Sequence, residues 1–157
     1  MVSFNGIKKR LWLISILAGI LGFIAIITPV RVLLSDNMLG WIFGVVAYDG
    51  NYTFISTDLP EVILGDYIAL VYIFGTIILL IGGLLSKRKD SDINFLYLIG
   101  GILLLGGIIT YMIGTSVLDP LYWVYFNVHI GAILAYIAGA LGVAAGIIGI
   151  VGKHKKI

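Results

Sequence analysis

The sequence contains no cysteine, and this absence excludes several kinds of chemistry at once. Without thiols there is no disulfide framework, no thiolate metal site and no cysteine nucleophile. Charge is also scarce: 11% of the 157 residues are charged, whereas soluble domains carry about 25%. With 61% hydrophobic residues, a chain of this size cannot hide its apolar surface from water, so we expect its solvent to be largely lipid.

Four apolar stretches contain no Asp, Glu, Lys or Arg, and each reaches the ~18 residues that mark a membrane-spanning helix. They are Leu11–Thr28, Tyr67–Leu85, Ile93–Gly114 and Leu121–Val151. With their flanks they predict spans at about 11–30, 62–86, 93–115 and 120–152, and outer loops at 31–61 and 116–119. The predicted fold is a single integral membrane domain over residues 1–157, an all-α antiparallel four-transmembrane-helix bundle.

Nearly all lysine and arginine residues lie in loops and termini on one side of the predicted membrane. The clusters KKR at 8–10, KRK at 87–89 and KHKK at 153–156 separate the apolar stretches. The segments that contain these clusters carry a net charge of +7, and the alternate segments carry −5. The positive-inside rule therefore predicts a multi-pass protein of the cell membrane with both termini in the cytoplasm. A cleaved signal peptide is the alternative for the first stretch, but IITPVRV has no small-x-small cleavage site.

The fourth helix has a recognisable start. Asp119 before Pro120 fits an N-cap followed by proline at the first helical position, so the sequence predicts one continuous helix from Pro120 to about Gly152. That helix is longer than a hydrocarbon core, and its first turns are aromatic, as is typical of the outer membrane interface. These aromatic residues are Tyr122, Trp123, Tyr125 and Phe126.

The ends of the first two helices carry further signals. Pro29 is expected to end or kink the first helix, and Arg31 beyond it to extend its side chain to the membrane surface. Asp58, Pro60 and Glu61 fit the capped start of a second helix that begins outside the lipid.

The first outer loop contains a strong hairpin signal. Asp49-Gly50 is flanked by two β-forming segments, Trp41–Tyr48 and Asn51–Thr57, which predicts a small extracellular β-hairpin. A short interfacial helix over Met38–Val46 is the alternative. Neither arm of the hairpin up to Thr57 carries a charge, and an isolated hairpin is marginal in water, so it must pack on the bundle, the membrane or a partner. The residues expected to contact a partner are Trp41, Phe43, Tyr48, Tyr52 and Phe54.

Small residues form ridges along the fourth span. They include Gly131, Ala135, Gly139, Gly142 and Gly146. In lipid there is no hydrophobic drive between helices, so close backbone approach through small residues supplies the association. The ridges either pack this chain against itself or dock another subunit. The predicted partners are the lipid bilayer and a second copy or other membrane subunits.

The sequence shows no sign of catalysis. It has no phosphate-binding glycine loop, nucleophile elbow or paired metal motif, so we predict no enzyme activity, cofactor, metal or nucleic-acid partner. Proton-coupled transport usually needs an ionisable residue within the membrane, and the four apolar stretches contain no Asp, Glu, Lys or Arg. His129 is interpreted as a hydrogen-bonding residue near the outer interface, with metal, quinol or partner contact as alternatives. Asn51-Tyr52-Thr53 matches a glycan acceptor, although Asn51 also lies where a hairpin turn favours asparagine.

The arrangement resembles the claudin and peripheral-myelin-protein type of four-transmembrane proteins. The shared features are four spans, cytoplasmic termini, a large first outer loop predicted to be β, a short second one, and Trp41 within GWIFG. The family's Gly-Leu-Trp motif and cysteine pair are missing. The resemblance implies adhesion, barrier formation or assembly with membrane partners. We expect a non-enzymatic protein that acts through protein contacts; an accessory subunit of a larger membrane enzyme, or a small transporter or channel, are the alternatives.

Overall fold

The computed structural model describes residues 10–33, 38–48, 51–54, 59–89 and 93–154. Its helices are α1 (Leu11–Ile27), α2 (Pro60–Lys89), α3 (Asn94–Leu118), the short α4 (Tyr122–Tyr125) and α5 (Ile130–His154). Its strands are β1 (Arg31–Leu33), β2 (Met38–Gly40), β3 (Val45–Tyr48), β4 (Asn51–Phe54) and β5 (Asn127–Val128).

The four long helices pack side by side around a common core. Going around the bundle, α1 contacts α2, α2 contacts α3, α3 contacts α5, and α5 contacts α1. Neighbouring helices run in opposite directions, since Gly83 near the end of α2 contacts Trp12 at the start of α1. Gly82 likewise contacts Tyr97 at the start of α3. We call the end of the bundle that carries Arg10 and Lys87 the basic end, and the opposite end the sheet end.

The outside of the bundle is apolar. Phe23 on α1, Phe74 on α2 and Ile113 on α3 are more than half exposed. Many other large apolar side chains are also exposed on the outside of the bundle. Helices α2, α3 and α5 are long and apolar enough to cross a membrane, whereas α1, with 17 residues, is shorter. An apolar exterior on long apolar helices indicates a membrane protein, as the composition predicts.

The predicted small-residue ridge lies inside the chain. Gly131, Ala135, Gly139, Gly142 and Gly146 are all buried. A Cβ added at Gly139 would lie 2.7 Å from the Leu105 nitrogen, and one added at Gly146 would lie 2.6 Å from the Leu98 nitrogen. These glycines therefore allow the backbones of α3 and α5 to approach closely, and Gly131 does the same against Thr28 and Pro29.

The continuous helix expected from Pro120 to about Gly152 is wrong. The chain forms α4, turns extended at Phe126 with φ −104° and ψ 135°, pairs as β5, and becomes helical again at Ile130. Asn127 and Val128 pair with Val32 and Arg31 of β1. Backbone pairing with β1, a strand from a distant part of the chain, thus overrides the local helix signal at Asp119 and Pro120. That local signal cannot report the presence of β1.

The other helix ends lie close to their predicted positions. Helix α1 ends at Ile27, and Thr28 is extended immediately before Pro29. Helix α2 begins at Pro60, with Glu61 in its first turn, while Asp58 lies outside the described residues.

A five-stranded antiparallel sheet covers the sheet end, in the order β4-β3-β2-β1-β5. The predicted hairpin is confirmed as β3 and β4, with Tyr48 paired to Asn51, although Asp49-Gly50 and residues 55–57 lie outside the described residues. The alternative helix over Met38–Val46 is wrong. The first arm is shorter than expected, because Trp41–Gly44 turns between β2 and β3. Gly44 has φ +72°, a left-handed conformation that glycine adopts without a Cβ clash.

Candidate functional site: the exposed hairpin and its buried support

The hairpin of β3 and β4 presents the most exposed aromatic side chains of the described sheet. Tyr48 is 53% exposed, Tyr52 74% and Phe54 76%. Tyr52 and Phe54 lie two residues apart and therefore on the same face of β4. Tyr48 pairs with Asn51 and therefore lies on the opposite face of the hairpin. Tyr52 and Phe54, two of the five predicted contact residues, thus form one open surface, which we call the aromatic hairpin surface.

Strand β4 is also an edge of the sheet. Among the described strands it pairs with β3 only, on one side, and all four of its residues are exposed. Residues 51–54 contain no charge and no proline, the usual devices that prevent an edge from pairing with another chain. The hairpin therefore offers both apolar side chains and unpaired backbone groups.

Trp41 and Phe43, the other two predicted contact residues, also make contacts within the chain. Trp41 is half-buried, and its indole Nε1–H donates to the Ile27 carbonyl oxygen at 2.9 Å. Its ring lies 5.9 Å from the ring of Tyr52, so it supports the hairpin from beneath. Phe43 is partly buried and packs against the core of the bundle. Aromatic residues in a loop have the same sequence pattern whether they face inward or outward.

Helix α2 anchors the other side of the sheet. Gly65 leaves room for the Ile42 carbonyl oxygen, which contacts the position that a Cβ would occupy. A Cβ on Gly44 would lie 2.7 Å from Val62 Cγ1. The turn between β2 and β3 therefore rests directly on the first two turns of α2.

Arg31 is buried, and the expectation that it extends to the membrane surface is wrong. Its side chain is only 4% exposed, and its Nη1 donates to the Tyr111 hydroxyl at 3.0 Å. The guanidinium carbon lies 5.2 Å from the ring centroids of both Tyr122 and Phe126. Its Nε is buried without a hydrogen-bond partner among the described residues, against Gly40 of the neighbouring strand. Aromatic faces and a phenol thus stabilise this buried cation.

Hydrogen bonds extend this cluster into the bundle. The hydroxyls of Tyr111 and Tyr122 lie 3.1 Å apart, and Trp123 Nε1–H donates to both the Met112 carbonyl oxygen and Thr115 Oγ1 at 3.1 Å. Strand β1, helix α3 and helix α4 are therefore joined by polar contacts. Tyr122 is buried rather than placed at a membrane surface, whereas Tyr125 is 56% exposed.

His129 has a structural position at the start of α5. Its backbone nitrogen donates to the Val30 carbonyl oxygen at 2.9 Å, and its Nδ1 lies 3.3 Å from the Pro29 carbonyl oxygen. It joins the start of α5 to the end of α1, as a hydrogen-bonding residue would. The described residues contain no cluster of three or more His, Cys, Asp or Glu able to hold a metal ion.

No sequence pattern signals the Arg31 cluster, because Arg31 and Tyr111 are 80 residues apart and only the fold brings them together. Strands β1 and β2 had a weak signal: Ser35, Asp36 and Asn37 are turn-forming residues between apolar segments. Asn51 was expected in the turn but is the first residue of β4.

No protein-family model matches this chain, and no curated protein is similar enough to be identified as a relative. The function is therefore argued from the surface itself.

Proposed function

We propose that this chain is a non-enzymatic integral membrane protein that acts through protein–protein contacts made by the aromatic hairpin surface, in self-assembly, adhesion or scaffolding. The observation that carries the proposal is the exposure of Tyr52 and Phe54 on an uncharged edge strand. Exposed aromatic side chains beside a stable scaffold are characteristic of interaction sites.

The position of the sheet relative to lipid supports this role. On α2, Tyr67 and Lys87 bound a stretch without charge, and 20 residues of helix span about 30 Å, the thickness of a hydrocarbon core. The Lys87 ammonium lies 5.0 Å from the Trp12 ring centroid, an arrangement suited to the basic interface. The part of α2 before Tyr67 then extends out of the lipid and carries the sheet.

Helix α1 is proposed as the fourth span. A Cβ on Gly19 would contact Leu80, and one on Gly22 would contact Thr76, so α1 follows α2 through the same depth. Its outward face is apolar. The exposed residues on this face are Leu13, Leu17, Ile20, Phe23 and Ile27.

The charge distribution orients the sheet outward. In the sequence, nine of the ten Lys and Arg residues lie in segments 8–10, 87–89 and 153–156, and six of the eight acidic residues lie in segment 36–66 and at 119. The positive-inside rule places the basic end in the cytoplasm, so the hairpin faces the cell exterior. The resemblance to claudin-type proteins implies the same kind of contact role.

Purification of the full chain in mild detergent, followed by mass spectrometry, tests the proposal. We expect a homo-oligomer or a co-purifying membrane protein, and the double variant Tyr52→Ser with Phe54→Ser should lose it. Tyr125→Ser is the matched control, because Tyr125 is an exposed aromatic residue at the same end of the bundle but outside the hairpin.

The opposite results are equally clear. A solitary monomer in mild detergent, or an assembly that the double variant leaves intact, contradicts a contact role for the hairpin. Redox subunits that co-purify regardless of the hairpin variants would instead favour an accessory subunit of a membrane enzyme.

A further inference from the structure

The tripeptide Asn51-Tyr52-Thr53 is the acceptor pattern for N-linked glycans, and the proposed contact surface does not account for it. No other asparagine in the 157-residue sequence is followed two positions later by Ser or Thr. Such a tripeptide is functional only where it is accessible and on the outer side of the membrane.

The structure removes the competing explanation of Asn51. Asparagine is favoured at the central positions of a hairpin turn, where φ is positive. Asn51 instead pairs with Tyr48 as the first residue of β4, after a two-residue connection. Asparagine is disfavoured within strands, and the structure shows no hydrogen bond from the Asn51 side chain to any described residue. Neither turn geometry nor strand pairing therefore explains why asparagine occupies position 51.

The acceptor residues are accessible. Asn51 and Thr53 are both exposed and, being two residues apart, lie on the same face of β4. Among the described residues, the Thr53 hydroxyl has only a long contact of 3.5 Å, to the Phe54 carbonyl oxygen. Because β4 is an edge, its backbone is also unpaired on one side.

We propose that Asn51 is a site of N-linked glycosylation. An oligosaccharyltransferase of the same membrane would join the Asn51 carboxamide nitrogen to the anomeric carbon of a polyprenyl-phosphate-linked oligosaccharide. The new bond is carbon–nitrogen, the carbon–oxygen bond to the phosphate breaks, the polyprenyl phosphate leaves with that oxygen, and one amide proton is released.

A glycan at this position also restricts how the hairpin meets a partner. It lies at the start of the open edge and shields that edge from pairing with another strand. Tyr52 and Phe54 project from the opposite face of β4 and stay available. This consequence rests on the proposed contact function, whereas the glycan site itself rests only on accessibility and outward orientation.

The test is translation of the full chain into rough microsomes that contain an oligosaccharyltransferase. We expect wild type and Thr53→Ser to migrate more slowly on a denaturing gel, and an endoglycosidase to reverse the shift. Asn51→Gln and Thr53→Val should both abolish it. Both substituted positions, Asn51 and Thr53, are exposed, so these changes leave the fold intact.

A second measurement on the same microsomes separates the possible failures. Tyr52→Cys introduces the only thiol and keeps the acceptor tripeptide. Unshifted wild-type protein whose Tyr52→Cys thiol is shielded from an impermeant maleimide by the microsomal membrane overturns the glycan site alone. Unshifted protein whose thiol is labelled from the cytosolic side overturns the outward orientation, and with it both this inference and the proposed function.

Discussion

The close packing of α3 against α5 predicts opposite effects for the same substitution at two positions of one helix. A Cβ added at Gly101 would lie 2.6 Å from the Gly142 carbonyl carbon and 2.9 Å from the Gly139 carbonyl oxygen, and it would also contact the Val143 nitrogen. These are backbone atoms of a helix and cannot rotate away. The helices must therefore separate by several tenths of an ångström to about 1 Å, which forfeits a quarter to a half of each affected dispersion contact.

We expect Gly101→Ala to lower the free energy of unfolding by about 3 kcal/mol, the upper part of the range for overpacked cores. Gly106→Ala is the matched control, because nothing lies within 4 Å of a Cβ at that position. There the methyl group only improves helix propensity, and stability should stay the same or rise by up to about 1 kcal/mol.

Reversible unfolding in mixed dodecyl maltoside and dodecyl sulfate micelles, followed by tryptophan fluorescence, measures both variants under the same conditions. If Gly101→Ala is as well tolerated as Gly106→Ala, the backbones of α3 and α5 are not in contact, and the account of the small-residue ridge is wrong.

Substitutions at three further positions test the support of the sheet in the same assay. Gly44→Ala should cost about 1–2 kcal/mol, because the residue has φ +72° and no side chain adopts that conformation freely. Arg31→Met should lower the free energy of unfolding by about 2–4 kcal/mol, because it removes the hydrogen bond to Tyr111 and the ring contacts. Arg31→Lys should not restore this stability, since an ammonium cannot stack on a ring as a guanidinium does. Trp41→Phe should cost about 1 kcal/mol, the typical value of one hydrogen bond, and leave the hairpin more mobile in hydrogen exchange. No loss of stability in Arg31→Met would show that the buried cation does not hold the sheet to the helices.

The parts of this fold that were predictable are those specified by local composition. Uncharged apolar stretches predicted the positions of α2 and α3 within a few residues, because a helix needs about 20 apolar residues to cross the hydrocarbon core. Asp49-Gly50 between β-forming segments located the pairing of Tyr48 with Asn51, since hairpin register follows from the connection length.

The parts that were not predictable depend on contacts between distant segments. Asn127 and Val128 form a strand only because β1 is beside them, and two residues carry too little pattern to be recognised. Arg31 is read from sequence as a residue near the membrane surface, and its burial follows from Tyr111 and Tyr122, which no spacing rule connects to it. Trp41 and Tyr52 are both aromatic loop residues, and only the structure shows that one supports the hairpin while the other is exposed.

The central claim is that four helices cross the membrane and that the sheet lies outside, and α1 is the span that most needs testing. Because the chain has no cysteine, single-cysteine variants can be labelled without background. In intact cells an impermeant maleimide should label Tyr52→Cys at once, and should label Ser3→Cys and Ile157→Cys only after permeabilisation. Labelling of Ser3→Cys in intact cells would show that α1 does not cross the membrane, and protection of Tyr52→Cys would contradict the outward position of the sheet.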